Sequence, residues 1–202
     1  MQDKWHAGVI VGLRLICGIR VRCVGEENLL KPPFVIACKH QSAFECLFFN
    51  TIFKNPVFVM KKELLKVPIF GQYTWIAGMV YIDRKAGVSA MRRIARLFGK
   101  AFANGRVAII FPEGSRSSPG HALAYKSGIA LIHAANPDVP IIPVALNSGI
   151  FWPKSGFPLH PGEIIIQFLP PIKEQMEKQA LLDKLYEQIE TASLLLLPPS
   201  SK

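Results

Sequence analysis

The stretch FVIACKHQSAFECLFF, residues 34–49, decides how this chain folds. Its first five residues, Phe34–Cys38, form a short apolar run typical of a buried β-strand, and a lysine and His40 follow directly. From Ala43 to Phe53 the apolar residues recur at helical spacing. The stretch therefore predicts a strand, a polar turn and a helix, which is the repeating unit of α/β proteins.

The same alternation continues along the chain. Further strands are predicted at Ile19–Val24, Val57–Met60, Met79–Ile82, Val107–Phe111, Ile141–Leu146 and Ile164–Phe168, and further helices at 89–103, 122–135 and 173–195. A chain of 202 residues fits one hydrophobic core of ordinary size. We expect a single α/β domain at 19–202, with a largely parallel central sheet flanked by helices, and an amphipathic membrane-associating segment at 1–18.

Composition and charge narrow the function. With 50% hydrophobic and 19% charged residues, intrinsic disorder is excluded. Four cysteines without the pattern of a secretory signal indicate a reduced compartment, so a cytosol-facing protein is expected. The whole net charge of +10 lies in the first 100 residues. It indicates an anionic partner, such as nucleic acid, anionic lipid or a phosphorylated small molecule, or else a solvated basic face.

The first 20 residues are apolar but do not predict a membrane span. The run from Ala7 to Ile19 contains Arg14 and is shorter than the roughly 20 residues that a transmembrane helix needs. Apolar residues recur here at helical spacing: Trp5, Val9, Ile10, Leu13, Ile16 and Cys17. With basic residues close by, this pattern suits an interfacial helix on anionic lipid. The alternative is an amphipathic helix packed on the protein's own core.

Polar residues follow four of the predicted strands. In open α/β sheets, ligands bind outside the carboxyl ends of the strands, where such residues gather. The four groups are Lys39 and His40; Lys61 and Lys62; Asp83, Arg84 and Lys85; and Pro112, Glu113, Gly114, Ser115 and Arg116. A cationic cleft with a histidine suits a phosphate-bearing substrate and a proton transfer.

His40 and Glu45 form the most informative pair. A histidine that acts as general base needs a partner that accepts a hydrogen bond from its second ring nitrogen, and Glu45 supplies a carboxylate for this role. On one continuous helix, residues five apart point about 140° away from each other. The two side chains therefore meet only if His40 lies before the helix, as the strand prediction requires. Ser42 is not favoured as a nucleophile, because the chain has no G-x-S-x-G motif.

Four blocks of sequence resemble those of the glycerolipid acyltransferases, the H-x4-D/E family that includes 1-acyl-sn-glycerol-3-phosphate acyltransferase. The blocks occur in the order of that family: His40 to Glu45, GMVYIDR at 78–84, FPEGSRS at 111–117, and VPIIPV at 139–144. The resemblance extends over 20–146. Two residues depart from the commoner pattern, Glu45 in place of aspartate and Ser115 in place of threonine, and both keep the functional group.

The resemblance implies a direct acyl transfer. A fatty acyl group would pass from acyl-CoA or acyl-carrier protein to the sn-2 hydroxyl of 1-acyl-sn-glycerol 3-phosphate, giving phosphatidic acid. His40 would be the base and Glu45 its partner. The implied substrate-binding residues are Lys61, Lys62, Arg84, Glu113, Gly114, Ser115 and Arg116. Glu113 has two alternatives: it accepts a hydrogen bond from a glycerol hydroxyl, or it orders its loop by pairing with an arginine.

Other functions stay open at this stage. The acceptor could be glycerol 3-phosphate or another lysophospholipid, and a non-enzymatic binder of anionic lipid or nucleic acid could use the basic half of the chain electrostatically. The spacing of Cys38, His40 and Cys46 matches no common zinc pattern, so no metal and no cofactor is expected besides the acyl donor. The location expected is the cytoplasmic face of a membrane, with peripheral or monotopic attachment. A substrate and a membrane surface, and no nucleic acid, are the expected partners.

Overall fold

The computed structural model describes residues 2–66, 70–76, 78–82 and 87–198. The strands are β1 (Ile19–Val24), β2 (Val35–Cys38), β3 (Val57–Lys61), β4 (Val80–Ile82), β5 (Ala108–Ile110), β6 (Ile141–Leu146) and β7 (Gly162–Phe168). The helices are α1 (Gln2–Cys17), α2 (Phe44–Ile52), α3 (Phe70–Ile76), α4 (Gly87–Ala103), α5 (Gly128–Ala135), α6 (Ser148–Phe151) and α7 (Lys178–Leu195). All seven predicted strands are present, within two residues of their predicted bounds.

The strands form one seven-stranded sheet in the order β1-β7-β6-β2-β5-β3-β4. The five strands from β6 to β4 pair in parallel, and β7 joins them antiparallel through β6. β2 lies between β6 and β5, so the residues that follow these three strands meet at one edge of the sheet. The predicted α/β class and largely parallel sheet are confirmed.

Side chains alternate between the two faces of the sheet, as the period of two requires. In β2, Val35 and Ala37 pack in a core with α4, α5 and α7. Ile36 and Cys38 pack in a second core, on the other face, with α1 and α2. Buried on both sides, β2 reads as a continuous apolar run, which is why its sequence predicts a central strand.

Helix α1 packs on the domain through only one of its faces. Leu13 is buried in the core with α2, and Val9, Ile10 and Cys17 lie against it. Val11, Leu15 and Ile16 are exposed, the last two at 78% and 86%. Of the predicted apolar stripe, Val9, Ile10, Leu13 and Cys17 therefore cover the protein's own core and Ile16 does not, while the side chain of Trp5 lies outside the part of the chain whose side chains are described. A second apolar face, with Val11 and Leu15, is left in solvent. Among the described residues, no helix combines the length and apolarity needed to cross a bilayer.

Two predicted helices begin later than expected. The helix predicted at 122–135 begins at Gly128, because the preceding segment runs along the loop after β5, where the amide of Lys126 donates to the carbonyl of Pro112. The helix predicted from 173 begins at Lys178, since Ile172 instead bridges to Ile141 beside β6. In both places tertiary hydrogen bonds override local helical periodicity.

Candidate active site

His40 and Glu45 meet at the carboxyl end of β2. The distance from His40 Nδ1 to Glu45 Oε2 is 3.2 Å. His40 lies two residues beyond the last residue of β2, and Glu45 lies in the first turn of α2. The prediction that the pair meets because His40 precedes the helix is confirmed.

The Glu45 carboxylate is fully buried and accepts hydrogen bonds from several donors besides the imidazole. The amides of Gln41 and Ser42 donate to Oε1 at 3.3 and 3.0 Å, and the Ser42 amide also lies 3.0 Å from Oε2. The Ser148 hydroxyl donates to Oε1 from α6. Oxygens held by fixed donors keep the carboxylate in one orientation, so the imidazole it binds is fixed as well.

Ser42 caps a helix. Its hydroxyl accepts a hydrogen bond from the Phe44 amide at 3.1 Å, while its own amide donates to Glu45. This reciprocal pattern resembles a capping box at the start of α2. The side chain is buried in this contact, which supports the interpretation that Ser42 is not a nucleophile.

The His40 ring is held flat against Phe111. The two ring centroids are 3.9 Å apart and the planes are 16° from parallel. Because Nδ1 faces a carboxylate, it carries the proton, and Nε2 then presents a lone pair. The His40 side chain keeps 16% of its surface exposed. The ring is thus held in place while part of it stays open to solvent, and the Nδ1 contact leaves Nε2 as the nitrogen with a free lone pair.

The loop after β5 holds the backbone of His40 on both sides. Glu113 Oε2 accepts a hydrogen bond from the His40 amide at 3.0 Å, and the Ser117 amide donates to the His40 carbonyl at 2.8 Å. Gly114 turns the loop with φ 70°, a left-handed conformation that favours glycine, and its amide donates to the carbonyl of Phe111. The third sequence block, residues 111–117, is therefore hydrogen-bonded to His40 of the first block.

Glu113 pairs with Lys39. The Lys39 ammonium lies 2.8 Å from Glu113 Oε1 and 2.7 Å from Glu190 Oε2, and it donates to the carbonyl of His121 at 2.9 Å. Of the two roles predicted for Glu113, the structure shows the ion pair that orders the loop. The partner is a lysine and not the predicted arginine. Both Glu113 oxygens are engaged by protein donors.

Most of the other residues predicted to bind substrate lie in more exposed positions than Glu45 and Glu113. Lys62 and Ser115 are exposed, Gly114 and Arg116 are half-buried, and Lys61 is the last residue of β3. Burial raises the pKa of the nearby Cys46 thiol to about 12; Glu45 adds to the rise and Arg116 opposes it, so the Arg116 charge acts near the start of α2. Arg84 lies outside the described residues.

The thiols beside the pair are not poised as nucleophiles. Burial, followed by the charges of Glu45 and Glu113, raises the pKa of Cys38 well above its usual value, and Cys46 is shifted in the same direction. The reactive form of cysteine is the thiolate, which a raised pKa disfavours. Of the side chains described around Glu45, the imidazole is the one that is free to take a proton.

Four residues that hydrogen-bond within or beside this site were not predicted from the sequence as part of it: Lys39, Tyr125, Ser148 and Glu190. Lys39 was noted as a strand-end cation but not as a buried group, and only its apolar neighbours in 34–38 signal burial. Ser148 follows β6, the neighbour of β2, so a list of residues after every strand would have included it. Glu190 occupies a position in α7 that apolar residues share, and a lone acid on a buried helix face was the available signal.

Comparison with known proteins identifies the family of this chain. The acyltransferase family model matches residues 20–147. The chain belongs to the acyltransferase family. One relative, the 1-acyl-sn-glycerol-3-phosphate acyltransferase of Pseudomonas aeruginosa, is 33% identical over 188 residues, which is 93% of this chain and 73% of the relative. The enzyme of the same name from Saccharomyces cerevisiae is 32% identical and is aligned over 81% of this chain and 55% of its own length.

A solved structure supports the fold of this acyltransferase. The 1-acyl-sn-glycerophosphate (LPA) acyltransferase PlsC from Thermotoga maritima matches 99% of this chain and 80% of its own chain, with a TM-score of 0.77 and 23% identity. This structure bears out the predicted fold, and the family model and the Pseudomonas relative confirm the predicted family resemblance. Ser148 and Glu190 lie beyond the segment that the family model matches, which ends at residue 147.

Proposed function

We propose that this acyltransferase transfers a fatty acyl group from acyl-CoA or acyl-carrier protein to the sn-2 hydroxyl of 1-acyl-sn-glycerol 3-phosphate, forming phosphatidic acid. The observation that carries the proposal is the His40–Glu45 pair, with Nδ1 bound to a fixed carboxylate and the ring partly exposed to solvent. The acceptor is inferred from the names of the Pseudomonas and yeast relatives.

The chemistry is a single acyl transfer. Nε2 of His40 takes the proton of the acceptor hydroxyl as the oxygen attacks the thioester carbonyl. The tetrahedral intermediate collapses, the carbon–sulfur bond breaks and the thiolate leaves with the proton from the imidazolium. Glu45 stabilises the imidazolium while it exists. The oxygen–carbon bond formed replaces the carbon–sulfur bond broken, so no resident cofactor, metal or acyl-enzyme is required.

Cations at the same edge of the sheet suit the acceptor's phosphate. Arg116 and Lys62 follow β5 and β3, whose carboxyl ends point in the same direction as that of β2. Arginine binds phosphate through two parallel hydrogen bonds, and lysine acts as a point charge. Lys61 and Arg84 join this set by resemblance to the family.

We further propose that the exposed face of α1 lies on the cytoplasmic leaflet of a membrane. Val11, Leu15 and Ile16 present apolar side chains there, and Arg14 and Arg20 are exposed close by. Apolar residues beside cations suit the interface of an anionic bilayer. A lipid acceptor and a lipid product both reside in such a surface, which favours a peripheral enzyme.

The test is transfer of labelled palmitate from palmitoyl-CoA to 1-oleoyl-sn-glycerol 3-phosphate in liposomes. Wild type and His40→Ala are compared, with His160→Ala, an exposed histidine, as the matched control. We expect His40→Ala to lose at least about 10²-fold in activity, as removal of a general base does, and His160→Ala to retain it.

The acyl donor and acceptor are resolved by parallel assays. Palmitoyl-carrier protein replaces the CoA donor, and glycerol 3-phosphate or lysophosphatidylcholine replaces the acceptor. A folded His40→Ala variant with wild-type activity would overturn the catalytic role of His40. A wild type that is inactive with every donor and acceptor, yet binds anionic liposomes with a steep salt dependence, would instead support a binding protein.

A further inference from the structure

Lys39 is a charged residue in the interior of the domain, with 1% of its side chain exposed. An ammonium group has three hydrogens to donate, and all three find acceptors here: Glu113, Glu190 and the carbonyl of His121. A buried charge is tolerated only when it is paired and hydrogen-bonded in this way. The site therefore contains a buried ion cluster beside the histidine.

The cluster extends in both directions from Lys39. On one side Glu113 reaches the His40 amide through its second oxygen. On the other side Glu190, in α7, accepts a hydrogen bond from the Tyr125 hydroxyl at 2.8 Å through its second oxygen. Burial and the neighbouring Glu190 raise the pKa of Tyr125, so the hydroxyl stays protonated and donates. A continuous path of hydrogen bonds thus links α7 to the backbone of the catalytic histidine.

The path ends at a backbone that is held from several sides. The His40 amide is bound by Glu113 and its carbonyl by Ser117, while the amide of Lys39 donates to the Val144 carbonyl of β6 at 3.0 Å. With the backbone fixed and the ring stacked on Phe111, little freedom is left for Nε2 to move. Catalytic groups lose rate steeply when displaced by about 1 Å.

We propose that Lys39, Glu113, Glu190 and Tyr125 form a positioning network that holds His40 in place for proton transfer. The inference rests on the function proposed above, in which His40 is the base. It assigns Glu113 to the backbone of His40 rather than to a substrate hydroxyl. It also brings the C-terminal helix α7 into the catalytic apparatus, although Glu190 lies outside the segment that defines the family.

The test compares a buried and an exposed acid of α7, Glu190 and Glu187. Glu190→Gln keeps the size of the side chain but removes one of the two carboxylates that pair with Lys39. Glu187→Gln makes the same change at an exposed position three residues earlier. We expect Glu190→Gln to lower kcat about tenfold with both KM values within about twofold of wild type. Glu187→Gln should match wild type. Tyr125→Phe, a milder variant, should lower kcat a few-fold.

A second measurement does not depend on turnover. In protein labelled with ¹⁵N-histidine, the His40 ring resonances are assigned by their absence from His40→Ala. Glu190→Gln should shift these resonances, and Glu187→Gln should leave them unchanged. A residue that only supports the fold would not move them in a protein that remains folded by circular dichroism.

The outcomes separate this inference from the proposed function. If wild type is active and His40→Ala is not, but Glu190→Gln equals Glu187→Gln in kcat and in the His40 resonances, the network proposal alone is wrong. A rise in KM for the acceptor without a change in kcat would make Glu190 part of substrate binding and also overturn it. If wild type transfers no acyl group while Glu190→Gln still shifts the His40 resonances, the positioning stands and the proposed reaction fails.

Discussion

The histidine loop, residues 40–45, and the polar rim formed by Lys62, Ser115 and Arg116 differ in how deeply the protein buries them. In the histidine loop the carboxylate is buried and bound by several donors, and the imidazole is bound and stacked. In the rim Lys62 and Ser115 are exposed, and Arg116 is half-buried. Proton transfer needs geometry fixed before substrate arrives, whereas cations that capture an anion work from solvent.

The sharpest test of this difference is Glu45→Gln. An amide in place of the carboxylate cannot stabilise an imidazolium, so we expect kcat to fall by about 10²- to 10⁴-fold with little change in KM. Steady-state kinetics over a range of acceptor concentrations measures both. Glu163→Gln, which breaks an exposed ion pair with Arg22, is the control and should be neutral. A large rise in KM would mean that Glu45 contacts substrate.

A change in the rim should have the opposite kinetic signature. Arg116→Ala removes a charge-assisted contact to phosphate, and we expect the acceptor KM to rise about 10- to 100-fold at nearly constant kcat. Arg116→Lys should restore part of the loss, and added salt should narrow the gap between wild type and variant. If kcat falls instead, Arg116 belongs functionally with the histidine loop.

Ser148→Ala should weaken the histidine loop by one donor. Glu45 loses the hydroxyl from α6 but keeps its backbone donors, so we expect kcat to fall about three- to tenfold. Ser155→Ala, at an exposed position, serves as control. An effect as large as that of Glu45→Gln would show that Ser148 has a role beyond orienting the carboxylate.

The smallest effect on activity is expected from a thiol reagent, because Cys38 and Cys46, beside the histidine loop, should not react with it. With the pKa of Cys46 raised to about 12, the native thiol stays protonated at pH 8.5, where an unfolded cysteine is half ionised. Iodoacetamide at that pH should leave Cys38 and Cys46 unmodified by mass spectrometry and activity unchanged, and should alkylate both in urea. The raised pKa also means that folding stability is lost as pH rises from about 8.5 towards 12. Rapid alkylation of native Cys46 would contradict the raised pKa of its thiol.

The local sequence pattern was sufficient to predict the strands of the sheet and the contact between His40 and Glu45. The apolar run at 34–38 predicted β2, and the five-residue spacing predicted that His40 precedes α2, because both depend on neighbouring residues alone. Lys39 was not predicted as buried, since its partners Glu113 and Glu190 lie 74 and 151 residues away. Nor could spacing tell which apolar face of α1 meets the core, because that depends on how α2 is placed.

The buried cluster constrains how this sequence can change. Replacing Lys39 alone with a neutral residue leaves two carboxylates facing each other in the interior, and replacing Glu190 alone alters the charge balance of what remains. Substitution of both is less costly than loss of Lys39 alone, because Glu113 then no longer faces a second buried carboxylate. We therefore expect the residues at positions 39 and 190 to have been exchanged together during evolution, so that an acyltransferase with a neutral residue before its histidine lacks the acid in its last helix.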